Sequence, residues 1–226
     1  LQCLSTLCLL LMLVHSADAA PVLIDASFES GSYTESGTVD EWGGDAATVV
    51  GTENGITPLD GSQMLRFDAS GSGASSLIGA DVRQVRNLTD LGVSPGDILR
   101  GTAYFNRVAG DSETDTRFDL ILRAFDDVDG GGSQLLQVST SVFTDGILTT
   151  WESASTTILL PAGTQSIRFD ISALENVFND TTSPEFDGHY ADNLSLQVVP
   201  TPAAALAALP IFGMLGLTRP HRQRAT

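Results

Sequence analysis

Apolar and polar residues alternate through much of the middle of the chain. In Ser166-Ile167-Arg168-Phe169-Asp170-Ile171, three apolar side chains fall on one face and three polar ones on the other. Leu194-Ser195-Leu196-Gln197-Val198 repeats the pattern, as do Gln63 to Phe67 and, less regularly, Phe118 to Phe125. A period of two predicts half-buried strands of antiparallel sheets, because successive side chains of a strand point to opposite faces. Turn chemistry separates these segments: Asp60-Gly61, Pro95-Gly96-Asp97, Asp129-Gly130-Gly131-Gly132, Asp145-Gly146 and Pro161-Ala162-Gly163. Glycine supplies positive φ there, and aspartate bonds the backbone of the turn. The spacing predicts roughly eight to ten strands and no long amphipathic helix, hence an all-β antiparallel two-sheet sandwich or jelly roll. The chain shows no internal repeat, which argues against a propeller or solenoid.

Both ends break the pattern. Leu4 to Val14 is apolar except for Ser5 and Thr6, and His15-Ser16-Ala17-Asp18-Ala19 follows. This reads as a secretory signal peptide over 1–19 with small residues at Ala17 and Ala19, cut after Ala19. At the other end, Pro200-Thr201-Pro202 precedes an apolar stretch from Ala203 to Leu217 and a tail with Arg219, Arg222 and Arg224. A helix of that length reaches about 22 Å, short of the ~30 Å hydrocarbon core, and Pro210 interrupts it. The stretch has no polar face with which to pack as an amphipathic helix. It reads as a transient membrane stop whose arginines stay on the cytoplasmic side. The domain proper then spans 20–199.

Charge narrows the choice of partners. The formal net charge is -17, and the 11 basic residues are all arginine. Trimming both ends removes three arginines and one acid, so the remaining domain is more acidic still. Such a surface repels phosphate backbones and excludes nucleic acid as a partner. It suits a cation-rich exterior, or simply keeps an exported protein in solution.

Catalytic chemistry is restricted as well. The two cysteines, Cys3 and Cys8, lie in the signal region, so the domain has no disulfide, and Leu7 before Cys8 is too large for lipoprotein processing. His189 is the one histidine between the two end segments. A His/Cys zinc cluster cannot be built, and His189, in Asp187-Gly188-His189-Tyr190, reads as a turn residue before the last strand. The acids offer no closely spaced carboxylate motif for glycoside hydrolysis. Asp126, Asp127 and Asp129 lack the terminal bidentate glutamate of an EF-hand loop and read as a hairpin turn. Sugar binding needs exposed aromatic platforms, and Trp42, Tyr33 and Trp151 are the candidates. Trp42 leads because Glu41, Gly43, Gly44 and Asp45 surround it with polar, flexible chain. Its alternative is a ring that plugs one end of the sandwich.

Two resemblances add to this reading. Pro200-Thr201-Pro202-Ala203-Ala204, the Leu/Ala/Gly run and Arg219, Arg222 and Arg224 resemble the PEP-CTERM sorting signal, with Thr201 in place of the usual glutamate. That resemblance implies export, an exosortase-like sorting enzyme and the surface of a Gram-negative bacterium. A eukaryotic GPI signal is the rival, disfavoured by the basic end and the missing polar spacer. Asp25-Ala26-Ser27-Phe28-Glu29, Trp42, Asp60-Gly61-Ser62-Gln63, Trp151 and Tyr190-Ala191-Asp192-Asn193-Leu194-Ser195-Leu196 resemble the galactose-binding-like jelly roll of carbohydrate-binding modules. That resemblance implies first and last strands side by side and a structural calcium ion. Glu29 and Asp192 would supply carboxylates, with backbone oxygens near Asp25, Ser27 and Gly61 completing the shell.

Two functions therefore stand. One is a non-enzymatic protein of the cell surface or the exopolysaccharide matrix, sorted through its C-terminal signal. The other is a carbohydrate-binding module that uses a loop aromatic, with a glycoside hydrolase behind both. Partners on this reading are the export machinery, the sorting enzyme and extracellular polysaccharide.

Overall fold

The period-two segments become ten strands: β1 (Trp42–Gly44), β2 (Ala47–Val50), β3 (Met64–Phe67), β4 (Ile78–Asn87), β5 (Ile98–Arg107), β6 (Arg117–Phe125), β7 (Gln134–Phe143), β8 (Glu152–Leu159), β9 (Ser166–Glu175) and β10 (His189–Val199). This computed structural model describes residues 22–68, 78–108, 116–175 and 188–199. The predicted end signals, Ala17 and Ala19 before them and Pro200, Thr201, Pro202, Arg219, Arg222 and Arg224 after them, lie outside the described residues. Helical structure among the described residues is limited to α1 (Leu88–Leu91) and a single 3-10 turn, Val128–Gly130.

The strands form two five-stranded antiparallel sheets, ordered β1-β4-β9-β6-β7 and β2-β3-β10-β5-β8. The fold is the antiparallel jelly-roll sandwich that the alternation predicts. Phe118, Leu120 and Leu122 of β6 and Ile167, Phe169 and Ile171 of β9 meet Leu99, Ala103 and Phe105 of β5 and Ala191, Leu194 and Leu196 of β10 in one core. Each such large side chain withdrawn from water contributes about 1.5–3 kcal/mol. The Phe105 and Phe118 rings stack with centroids 4.8 Å apart. At Gly101 a Cβ would come within 3.1 Å of both Leu122 and Phe169, so a bare backbone lets the sheets close there.

The first described segment is stitched into the sandwich beside the last strand. Val22 donates its N–H to Leu196 O at 3.2 Å, and Leu194 N–H reaches Ala26 O at 2.9 Å. Gln84 and Arg86 interrupt the apolar inner face of β4 to hold this segment. The Gln84 amide exchanges two 2.9 Å hydrogen bonds with the backbone of Ile24. Arg86 donates Nη1 to Val22 O and pairs Nε with Asp40 at 2.7 Å. Buried polar groups with such partners cost little, whereas orphaned ones cost about 1–3 kcal/mol each.

The segment between β2 and β3 folds over the outer side of the second sheet. There Ile56 packs on Met64 and Tyr190 in a small separate cluster. Tyr190 Oη donates to Glu53 at 2.9 Å and accepts from Asn54 Nδ2 at 2.9 Å. Asp192 reaches that segment just before a bulge in β10, between Asp192 and Ser195 with Asn193 at φ 48°, which carries Leu194 into the core.

Candidate functional site

The alternation that sends Phe118, Leu120 and Leu122 inward sends Arg117, Asp119, Ile121 and Arg123 outward. On β9 it sends out Arg168, Asp170 and Ser172, and on β4 Asp81, Arg83 and Val85. Register brings these residues into rows across the first sheet: Asp81–Ser172–Asp119–Ser141, Arg83–Asp170–Ile121–Ser139 and Val85–Arg168–Arg123–Gln137. Residues far apart in sequence thus share one charged surface.

Asp170 is the hub of that surface. Arg123 Nη1 lies 2.7 Å from its Oδ1 and Arg168 Nε lies 2.9 Å from the same atom. The two guanidiniums cover it, so an outward carboxylate is only 3% exposed. Burial pushes the Asp170 carboxyl up, against the opposing pull of Arg168 and Arg123. Arg123 Nε also donates to Gln137 at 2.9 Å, and the Arg168 guanidinium sits 5.4 Å above the Phe125 ring. Next to the hub, Arg117 Nη2 bonds Asp119 Oδ2 at 3.0 Å. Asp119 is 8% exposed, and its other oxygen, Oδ1, is buried without a hydrogen-bond partner, as is Arg117 Nε.

Toward β1 the surface continues through acids. Asp45 Oδ2 accepts the Asp81 N–H at 2.9 Å, and the Tyr33 hydroxyl donates to Asp45 O. Burial, then the nearby Asp45 charge, raises the Asp81 carboxyl, while Arg123, Ser172 and Arg168 lower it. Burial is also the main cause that raises the Tyr33 phenol. Paired guanidinium forks and carboxylates on one rigid sheet can recognise vicinal hydroxyls and carboxylates through directional hydrogen bonds.

The aromatic platform predicted at Trp42 is corrected by the structure. Trp42 is 3% exposed, packs 5.2 Å from Phe28 and 6.2 Å from Phe169, and donates Nε1 to the carbonyls of Ile24 and Asp25. The polar, glycine-rich flanks belong to the short strand β1, and the ring closes the core as its alternative reading held. Tyr33 is half-buried and borders, with Ser30, Ser32 and Glu41, a groove of about 350 Å³ outside Trp42. Trp151 is partly exposed, donates to Thr57 O at 3.2 Å and borders a separate groove of about 270 Å³ with Pro58 and Leu148. The three predicted aromatics do not share one surface.

The predicted calcium residues do converge. Glu29 accepts the N–H groups of Ser62 and Gln63 at 2.8 Å each and the Ser62 hydroxyl at 2.9 Å, which holds its carboxyl below the usual range. Asp192 accepts N–H groups from Leu59, Asp60 and Asn193. Ser27 bonds Asp60 at 2.8 Å, and Asp25 accepts Ser30 N at 3.0 Å. Glu29 and Asp192 therefore grip the loop around Gly61 from two sides. Asp192 is fully buried with no ion-pair partner, and burial pushes its carboxyl up to about 6. A buried carboxylate held by backbone N–H groups alone, with no cationic side chain beside it, fits a cation nearby. No three acidic, histidine or cysteine side chains gather as a metal cluster among the described residues. Backbone oxygens would have to complete any shell.

The aspartate turn is where the sequence puts it, but His189 is not the expected turn residue: it opens β10, pairs with Phe67 and Arg107 and is buried, with Nε2 2.9 Å from Thr116 Oγ1. Asp127 caps the turn by accepting Val128 N at 2.8 Å, and Asn87 donates to Asp129 at 2.9 Å. The alternation alone did not single out Arg117, Asp119, Arg123, Arg168 or Asp170. A signal was present: Arg-x-Asp occurs at outward positions in both 117–119 and 168–170.

No family model matches the chain, and no curated protein matches it. Several solved structures resemble it. The enzymatically active domain of bacteriophage CBA120 tailspike protein 4 is 13% identical with a TM-score of 0.45, over 79% of this chain and 21% of that one. The chain thus spans about a fifth of the tailspike's length. A family 16 carbohydrate-binding module is 15% identical with a TM-score of 0.43, over 77% of this chain and 98% of that one. The CBM22-1 xylan-binding domain from Paenibacillus barcinonensis is 19% identical with a TM-score of 0.42, over 82% of this chain and 99% of that one.

Proposed function

We propose that this chain is an exported, non-catalytic polysaccharide-binding domain that works at the cell surface or in the exopolysaccharide matrix. The outer face of β4, β9, β6 and β7 is the binding surface. The observation that carries this reading is the field of Arg–Asp pairs, Arg117–Asp119, Arg123–Asp170 and Arg168–Asp170, that strand register sets on one sheet face. Asp119 and Asp170 are tied to arginines, which suits holding a ligand better than exchanging protons with it. The address comes from the ends: a signal peptide over 1–19, the domain over 20–199 and a PEP-CTERM-like sorting signal over 200–226, read by an exosortase-like enzyme.

Calcium belongs to the proposal as a stabiliser remote from this face. Asp192 and backbone oxygens near Asp25, Ser27 and Gly61 would hold it, with Glu29 fixing the loop. Its positive charge would offset the buried Asp192 carboxylate.

A glycan array probed with the purified protein and with Asp119→Ala tests the binding surface. The expected result is specific binding to a polysaccharide, lost in Asp119→Ala and retained in Trp151→Ala, with both variants melting cooperatively. An empty array, or binding indifferent to Asp119→Ala, overturns the reading and leaves a structural surface protein.

A further inference from the structure

We infer that the ligand of this face is a carboxylate-bearing polysaccharide, a polyuronate rather than a neutral glycan. The inference rests on the reading of the face as a polysaccharide site and adds the chemistry of the sugar. Its basis is the placement of charge. The chain has no lysine and a formal net charge of -17, yet Arg83, Arg117, Arg123 and Arg168 share one sheet face. They are half of the arginines in the described residues. Against them the same strands turn out three acids, Asp81, Asp119 and Asp170. Elsewhere among the described residues acids outnumber arginines severalfold. A face where arginines outnumber acids four to three, on an otherwise strongly acidic body, is where a polyanion meets the least repulsion.

The pairing leaves charge to spare. Arg123 and Arg168 converge on a single oxygen of Asp170, with the Asp81 carboxylate nearby. Arg83, opposite Asp170 on β4, is exposed and has no ion-pair partner among the described residues. Guanidinium forks bind carboxylates through two parallel hydrogen bonds, which makes arginine the side chain suited to a uronate. Platforms for a neutral glycan chain to stack on are few here. The residues that β4, β6, β7 and β9 turn outward include no tryptophan or tyrosine, Phe125 is capped by Arg168, and the exposed ring is Phe143, opposite Arg117 at the end of β7.

Affinity electrophoresis tests this with three polymers in the gel: polygalacturonate, its fully methyl-esterified form and neutral xylan. The expected result is retardation by polygalacturonate alone, weakened roughly tenfold or more in Arg123→Gln and Arg168→Gln. Arg100→Gln, on the outer face of the other sheet, is expected to leave it unchanged. Thermal melting of each variant shows whether it is folded, and Arg83→Gln, whose side chain supports nothing else, is the second probe if Arg123→Gln fails to fold. Equal retardation by xylan and polygalacturonate, abolished by Asp119→Ala, would keep the binding face and sink the polyuronate. Retardation by polygalacturonate that ignores every arginine variant on the face would also sink it. Retardation by none of these polymers sinks the polyuronate alone; with an empty glycan array as well, the binding face goes with it.

Discussion

Arg123 and Asp170 form a 2.7 Å ion pair between neighbouring strands on the solvent side of a sheet, yet the Asp170 side chain is almost wholly covered. Most surface ion pairs contribute little, because water screens them and two long side chains lose freedom. This one differs because Arg168 closes over the same carboxylate. Removing the carboxylate leaves two guanidiniums crowded against each other. Asp170→Asn is expected to cost about 3 kcal/mol in urea unfolding, and the added change Arg168→Met to recover part of it. An unchanged midpoint in Asp170→Asn would mean the hub has no structural weight.

Asp192 gives a pH dependence with a definite sign. Its folded value of about 6 lies above the ordinary 3.8, so the folded state holds an extra proton between those values. Stability from this group is full below about 3.8 and is lost as pH rises through about 6. Glu29 acts oppositely, but only below its ordinary 4.5, where its held-down carboxyl begins to protonate. In a metal-free buffer the melting midpoint is therefore expected to rise from pH 7 to pH 5, and less so in Asp192→Asn. A midpoint that falls over that range contradicts the burial of a carboxylate with no ion-pair partner.

Calcium supplies a second test of the same residue. At pH 7 the ion is expected to raise the melting midpoint and chelator to reverse the gain, since a ligand of the folded state alone shifts unfolding toward higher temperature. The gain should vanish in Asp192→Asn. Identical melts with calcium and with chelator would remove the ion.

Gly61 is constrained by shape. Its φ is 69°, and a Cβ there would stand 2.4 Å from the Glu29 carboxyl. Gly61→Ala must break the bonds from Ser62 and Gln63 to Glu29 or strain the turn, and is expected to cost about 2 kcal/mol. Chemical denaturation measures it directly.

Trp42 and Trp151 separate structure from surface. Trp42→Ala is expected to destabilise by about 3–5 kcal/mol, as large aromatic truncations in cores do. Trp151→Ala, which loses one hydrogen bond and part of its packing on the Ile56–Met64–Tyr190 cluster, should cost less, about 1–2 kcal/mol. Equal losses would show that the burial of Trp42 has been misjudged.

The sandwich was legible because strands such as Arg117–Phe125 and Ser166–Glu175 announce their two faces by alternation. Which strands lie side by side was not, because pairing between β6 and β9 joins residues some fifty positions apart and depends on the whole core. The charged face therefore stayed hidden, although each of its Arg-x-Asp halves was in view. Trp42 was misplaced for a related reason: Gly43 and Gly44 look like loop, but β1 needs them bare. A Cβ on Gly43 would strike the Gly37 backbone at 2.5 Å, and one on Gly44 the Asp81 carbonyl at 2.1 Å.

The stitch between Val22 and Leu196 has a mechanical meaning. The first segment and the last strand run in opposite directions, so the domain's entry and exit stand together at one pole. Pulled by both ends at once, the pair would open bond by bond like a zipper, from Val22 inward, while Val199 peels from Ile98 of β5. Anchored by one end only, the domain hangs from that pole with its hydrogen bonds unstressed.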